Sequence, residues 1–152
     1  MTDFKAICES AGFSNVRTYI ASGNVVFDAK LSEAAVRKAL ESRLLAYAGK
    51  PVGVMVRTVK EMAEVLARNP FPTAPANRTV AIFLDAPPPA NTLDSVTGAV
   101  DEEVRLGRRE IYVRYGASMG RSKLKIPAAA KGTARNMNTV AKLAAMAAGR
   151  AS

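Results

Sequence analysis

The chain has 152 residues, 49% of them apolar, with one cysteine, no histidine and a formal charge of +9. That size and apolar content suffice for a real core in one domain or two small ones, Cys8 alone forms no internal disulfide, and the missing histidines remove Ser-His and Cys-His nucleophile pairs, the usual neutral-pH base and nearly all common zinc sites. The charge is regional: residues 104–152 carry eleven Lys and Arg against one acid, Glu110, while residues 1–103 hold eleven basic and twelve acidic residues, and a clustered field of one sign favours anionic partners.

The N-terminal stretch sets Asp3, Lys5 and Glu9 where a signal peptide needs an apolar run, and no apolar stretch reaches the roughly 20 residues that cross a bilayer. A cytoplasmic protein without membrane attachment is expected. Phe4, Ile7, Cys8 and Ala11 recur at helical spacing and predict a helix over 3–11, capped by Thr2 and closed by Gly12. Cys8 lies on its apolar stripe and reads as a small core residue, with no neighbour to activate it. Asn15 to Ala21 and Asn24 to Asp28 are rich in Val, Ile, Thr, Tyr and Phe, with Ser22-Gly23 as the turn of a hairpin. Ser32 caps a helix to about Ala48 with Val36, Leu40, Leu44 and Tyr47 on one face, ended by Gly49 and Pro51. Val52, Val54 and Val56 alternate with Gly53, Met55 and Arg57, which predicts another strand.

Thr58 and Glu61 form the capping box of a third helix carrying Val59, Met62, Val65 and Leu66 and ending at Asn69. The proline-rich stretch 70–77, PFPTAPAN, reads as a linker. A strand over 79–84, a short helix over 91–96 and paired strands near 103–106 and 109–115, turned at Gly107, follow. Ser122 is expected to cap a short helix interrupted by Pro127, and a last helix spans about 137–148.

The first series, α-β-β-α-β, is a βαββαβ unit without its first strand, which would be central in the sheet. It suggests that Met1 is an internal methionine used as a start, or that the chain is truncated. A second β-α-β-β series echoes the first. The predicted class is therefore α+β, with two ferredoxin-like (α/β plait) subdomains over 1–69 and 70–152, the first lacking its N-terminal strand.

Arg121, Ser122 and Lys123, after Gly120 and before Lys125, form the best candidate site. A glycine admits close backbone approach, a helix N-terminus offers free N–H groups, and the cations favour phosphate or carboxylate. Arg135 and Asn136 would add donors before the last helix. The bland reading is a serine cap among solvated cations. Arg17, Ser22 and Asn24, around the hairpin turn, are a secondary candidate against a reading as ordinary turn formers. Tyr112, Arg114 and Tyr115 mix aromatic and basic character, but alternation puts Tyr112 and Arg114 opposite Tyr115. Asp101-Glu102-Glu103 reads as a solvated charge run. No phosphate-loop motif occurs, and no metal, cofactor or catalytic residue is expected.

The run from Gly12 to Phe27, GFSNVRTYIASGNVVF, then Asn69 to Pro72, Gly120 to Leu124, and Thr133 to Asn136 with Thr139 to Leu143, resembles the bacterial domain-of-unknown-function family 1697. The resemblance implies an α+β protein of two ferredoxin-like subdomains, with no established activity, cofactor or catalytic residues. Relatives usually begin with an apolar strand and a segment resembling LLRGINVGG, and this chain starts just after that point. They commonly carry an aromatic where Met137 stands. Three functions stay open: a non-catalytic module binding nucleic acid through the basic C-terminal region, a site binding or turning over a small phosphorylated or carboxylated molecule, and a protein-protein interaction module whose Ala-rich last helix packs on another chain. Oligomeric state is not legible.

Overall fold

The computed structural model describes residues 2–19, 24–51, 53–116, 122–130 and 132–148. They form two compact units, Met1–Lys60 with Leu143–Ser152, and Glu61–Lys142. Helices and two antiparallel sheets make an α+β fold.

In the first unit, α1 (Thr2–Ser10), β1 (Ser14–Tyr19), β2 (Asn24–Asp28) and α2 (Glu33–Ala48) follow the expected order. Gly12 turns the chain at φ +89°. β1 and β2 pair antiparallel, with an irregularity between Ser14 and Arg17 where Asn15 adopts φ 52°. Ser32 Oγ accepts from Ala35 N at α2's start, and Gly49 closes its end at φ 75°, a left-handed cap that suits glycine. The core holds Cys8, Phe13, Val16, Val36 and Leu40, with Val25, Phe27, Val54 and Val56 half-buried against it. Phe13 and Phe27 stack with centroids 4.4 Å apart. Of α2's predicted apolar face, Val36 and Leu40 are buried and Leu44 packs half-buried against the same core, whereas Tyr47 is 60% exposed. The strand expected over 52–57 is not formed among the described residues, 53–57. Its valines alternate as a strand requires, but among the described residues no neighbouring strand supplies a ladder, and alternation alone does not make a sheet.

The second unit contains most of α3 (Val59–Ala67), then β3 (Thr79–Phe83), β4 (Glu103–Leu106), β5 (Glu110–Arg114), β6 (Thr133–Asn136) and the start of α4 (Met137–Ala147). Its antiparallel sheet runs β4-β5-β3-β6, the strand order of a ferredoxin-like plait. Among the described residues the two crossovers carry 3-10 turns, Thr92–Ser95 and Pro127–Ala129. One sheet face buries Val80, Ile82, Val104, Ile111 and Val113 beneath Val96, Leu124, Ile126, Ala128 and Ala129. On the other, the Tyr112 hydroxyl donates to Val65 O of α3 at 2.8 Å.

Three further expectations change. The stretch over 70–77 is a packed loop: Phe71 is buried, its N–H donates to Asn69 Oδ1 at 2.9 Å, and the Arg105 guanidinium lies 5.8 Å from its ring centroid. Residues 122–126 are extended, with Thr97 and Lys125 forming a two-bond antiparallel bridge, so no helix starts at Ser122. β6 is an unexpected strand, four residues pairing with β3 from Val80↔Asn136 to Phe83↔Thr133.

Candidate functional site

The basic region divides by environment. Arg105, Arg108, Arg109 and Arg114 come from β4, β5 and the turn between them, and each meets a carboxylate. Arg114 and Arg105 share Glu103 at 2.8 and 3.3 Å, Arg109 lies 3.4 Å from Glu61, and Arg108 3.7 Å from Glu64. Acids from the near-neutral part of the sequence thus neutralise this group in place, although exposed pairs of this kind stabilise little.

Lys123 and Lys125 stand differently. The extended segment turns Leu124 and Ile126 onto the core and leaves Lys123 and Lys125 exposed. Side chains two apart on an extended chain share a side, about 7 Å from one another. Thr97 N donates to Lys125 O at 3.0 Å and Lys125 N to Thr97 O at 2.8 Å. Gly98, at φ +76°, lies so close that a β-carbon there would collide with the Lys123 carbonyl, which fixes this segment against its neighbour. Neither lysine makes an ion pair among the described residues. Lys142 on α4 is likewise exposed. Arg121 lies outside the described residues.

Ser122 is already engaged. Its hydroxyl donates to Glu102 Oε2 and accepts from Leu124 N at 3.2 Å. Glu102 Oε1 accepts from Val100 N at 2.7 Å and Asp101 N at 3.1 Å. The Ser122 hydroxyl, followed by these backbone donors, holds the Glu102 carboxyl below its ordinary range. Burial, and then the charge of Glu102, pushes the Tyr115 phenol up. A carboxylate of the chain itself therefore occupies the donor that a small anion would use. In the sequence Glu102 belongs to an acidic run that suggests a solvated face, and nothing local joins it to a serine twenty positions away.

Arg135 and Asn136 face opposite sides of the sheet. Arg135 pairs in register with Ala81, which faces Tyr112, whereas Asn136 pairs with Val80 of the core face. Arg135 Nη1 donates to Ala134 O at 2.8 Å, and burial lowers its guanidinium's affinity for its proton. Asn136 Oδ1 accepts from Thr139 N at 3.0 Å, satisfying a free donor at the start of α4 as a cap does. The two side chains are not brought together as one ligand cradle.

The secondary candidate is taken up by structure. Arg17 Nη2 donates to Met146 O at 2.9 Å, and buried Asn24 donates to Tyr19 O at 3.3 Å across the hairpin end. Ser22 lies outside the described residues. Tyr112 is buried and Arg114 is paired with Glu103, so they present no stacking platform. Cys8 is fully buried, and burial, followed by the charge of Glu9, pushes its thiol up to about 11. Such a thiol is inert at neutral pH. No cluster of three metal-ligating side chains is found among the described residues, nor any helix there long and apolar enough to cross a membrane.

Fold and surface together define a two-unit α+β protein whose second unit presents outward lysines on an extended segment. The chain belongs to the DUF1697 family of proteins of unknown function, whose model matches residues 1–112. The match ends before the Gly120 to Leu124 and Thr133 to Leu143 runs. A solved structure of a conserved bacterial protein, SP0830 from Streptococcus pneumoniae, is similar with a TM-score of 0.78 and 20% identity, covering 97% of this chain and 88% of that one. At that identity the likeness is one of fold. No curated protein matches the chain.

Proposed function

We propose that this is a non-catalytic cytoplasmic module that binds nucleic acid through the basic segment around Lys123 and Lys125. The observation that supports the reading is the outward pair itself, two exposed cations on one side of an extended, backbone-pinned segment. Cations so displayed suit a polyanion whose charges repeat along a line, and they need no concave pocket. A small phosphorylated or carboxylated ligand is less well served, because Glu102 holds the Ser122 hydroxyl and Arg135 and Asn136 diverge.

The test is titration of labelled single- and double-stranded oligonucleotides into the full chain at several salt concentrations. Binding at low salt should weaken steeply as salt rises. The double reversal Lys123→Glu with Lys125→Glu should lower the slope of log affinity against log salt by about 1.4 on a single strand, as expected for two lost phosphate contacts. No binding at low salt, or a slope that the reversal leaves unchanged, rejects the reading.

A further inference from the structure

The register of the second unit's sheet fixes which way its edge carbonyls point. Gly107 N donates to Glu110 O at 2.7 Å and Leu84 N to Arg109 O at 2.9 Å. In an antiparallel ladder every second opposed pair exchanges hydrogen bonds. Carried along the registers, Arg105 and Tyr112 are such a pair between β4 and β5, Ile82 and Ile111 between β3 and β5, and Ala81 and Arg135 between β3 and β6. Val104 and Ala134, beside the bonded positions, therefore turn their backbone groups away from the sheet. Both lie on its outer strands, β4 and β6.

Each outward carbonyl is taken by the next side chain. Arg105 Nη1 donates to Val104 O at 3.0 Å, and Arg135 Nη1 to Ala134 O at 2.8 Å. The two arginines end one row across the sheet, Arg105-Tyr112-Ala81-Arg135. Arg105 is held in place by Glu103, 3.3 Å from its Nη2, and by the Phe71 ring. A strand added at either edge needs that carbonyl for its own N–H, and must displace a charge-assisted bond to reach it. A second copy meeting edge to edge would also bring the same arginine of both chains onto one short ladder.

We propose that Arg105 and Arg135 are edge guards: β4 and β6 are latent pairing surfaces for a second copy of this chain, and the two guanidinium groups keep them shut. The inference concerns self-association and is independent of the nucleic-acid reading.

The test compares the full chain, freed of nucleic acid, with two double variants by sedimentation equilibrium over a range of protein concentrations. Arg105→Met with Arg135→Met keeps an unbranched stem at each edge and removes both donors. The control, Arg108→Met with Lys142→Met, removes as much charge from exposed side chains that are not on the edge strands. The first variant should form larger species at concentrations at least about tenfold below any at which the unmodified chain does, and its amide exchange should slow with concentration at Val104 and Ala134. The control should sediment as the unmodified chain. Association by the control to the same extent overturns the proposal, because lost charge then suffices. So does a folded double variant that keeps the unmodified chain's size, or association without protection in β4 or β6. Concentration-dependent protection of Val104 or Ala134 in the unmodified chain also rejects it, since the edges would then already be in use. If the double variant does not fold, the single variants decide: each opens one edge and should give a dimer and nothing larger, and singles that fold yet sediment as the unmodified chain overturn the proposal.

Discussion

Tyr112 reaches from the middle of β5 to Val65 O in the last turn of α3, where helix carbonyls lack donors of their own. Its hydroxyl both satisfies that carbonyl and fixes the helix over the sheet. Tyr112→Phe should cost about 1–2 kcal/mol, since a buried acceptor loses its donor, read as a lower urea midpoint for the second unit. The same residue sets an alkaline limit: burial, then the charge of Glu110, pushes its phenol up from 10.0 to about 12. A raised folded value gives stability that is complete below the unfolded value and lost as pH rises through the folded one. Unfolding midpoints should fall as pH rises from 10.0 towards 12, and Tyr112→Phe should flatten that fall. Glu102 acts with the opposite sign. Its carboxyl is held below 4.5 by the Ser122 hydroxyl, so that stabilisation is present above 4.5 and is lost as acid protonates the folded form. Ser122→Ala should flatten the acid limb of the midpoint profile while leaving the alkaline limb in place.

Among the elements, those whose signals were local could be read from the sequence. Ser32 and Gly49 bracket α2 as their side-chain chemistry requires, and Gly107 turns the β4-β5 hairpin, donating to Glu110 O at 2.7 Å. Elements that depend on a distant partner were misread. β6 is Thr-Ala-Arg-Asn, short and polar, and only its pairing with β3 makes it a strand. Residues 52–57 have the alternation of a strand but no ladder among those described. Ser122 suggests a helix cap, but Leu124 and Ile126 alternating with Lys123 and Lys125 carry the period of two that an extended segment shows. The anion-site reading depends on that cap, because its logic needs a helix N-terminus at Ser122. Asn136 was legible as a residue and not as a role: it ends β6 and caps α4. Asn136→Ala should therefore cost about 1 kcal/mol, with exchange accelerated first at the amides of α4's opening turn; equal acceleration throughout β3 would mean that it acts through the sheet instead.

For the molecule as a whole, the excess of positive charge in residues 104–152 is partly an effect of counting along the sequence. Four of those eleven cations meet acids in space, at Glu61, Glu64 and Glu103, while the lysines among the described residues of that stretch, Lys123, Lys125 and Lys142, are all exposed. The hydrophobic residues are likewise divided. The cluster around Leu40 and Cys8 and the cluster around Ile111 and Val113 share no residue, and each unit has its own sheet. Their quality differs, since β2 is largely half-buried while β3 is buried throughout. Separate cores of unequal burial open as separate units, the less buried first. Leu40→Ala and Ile111→Ala each remove a buried aliphatic side chain and should each cost about 2–5 kcal/mol. Native-state hydrogen exchange checks where that loss is felt. Leu40→Ala should accelerate exchange in β1, β2 and α2 and leave β3 and β5 unchanged. Ile111→Ala should do the reverse, and urea should release the amides of the first unit before those of the second in the unmutated chain. Equal acceleration in both units by either substitution would mean that the two cores unfold as one.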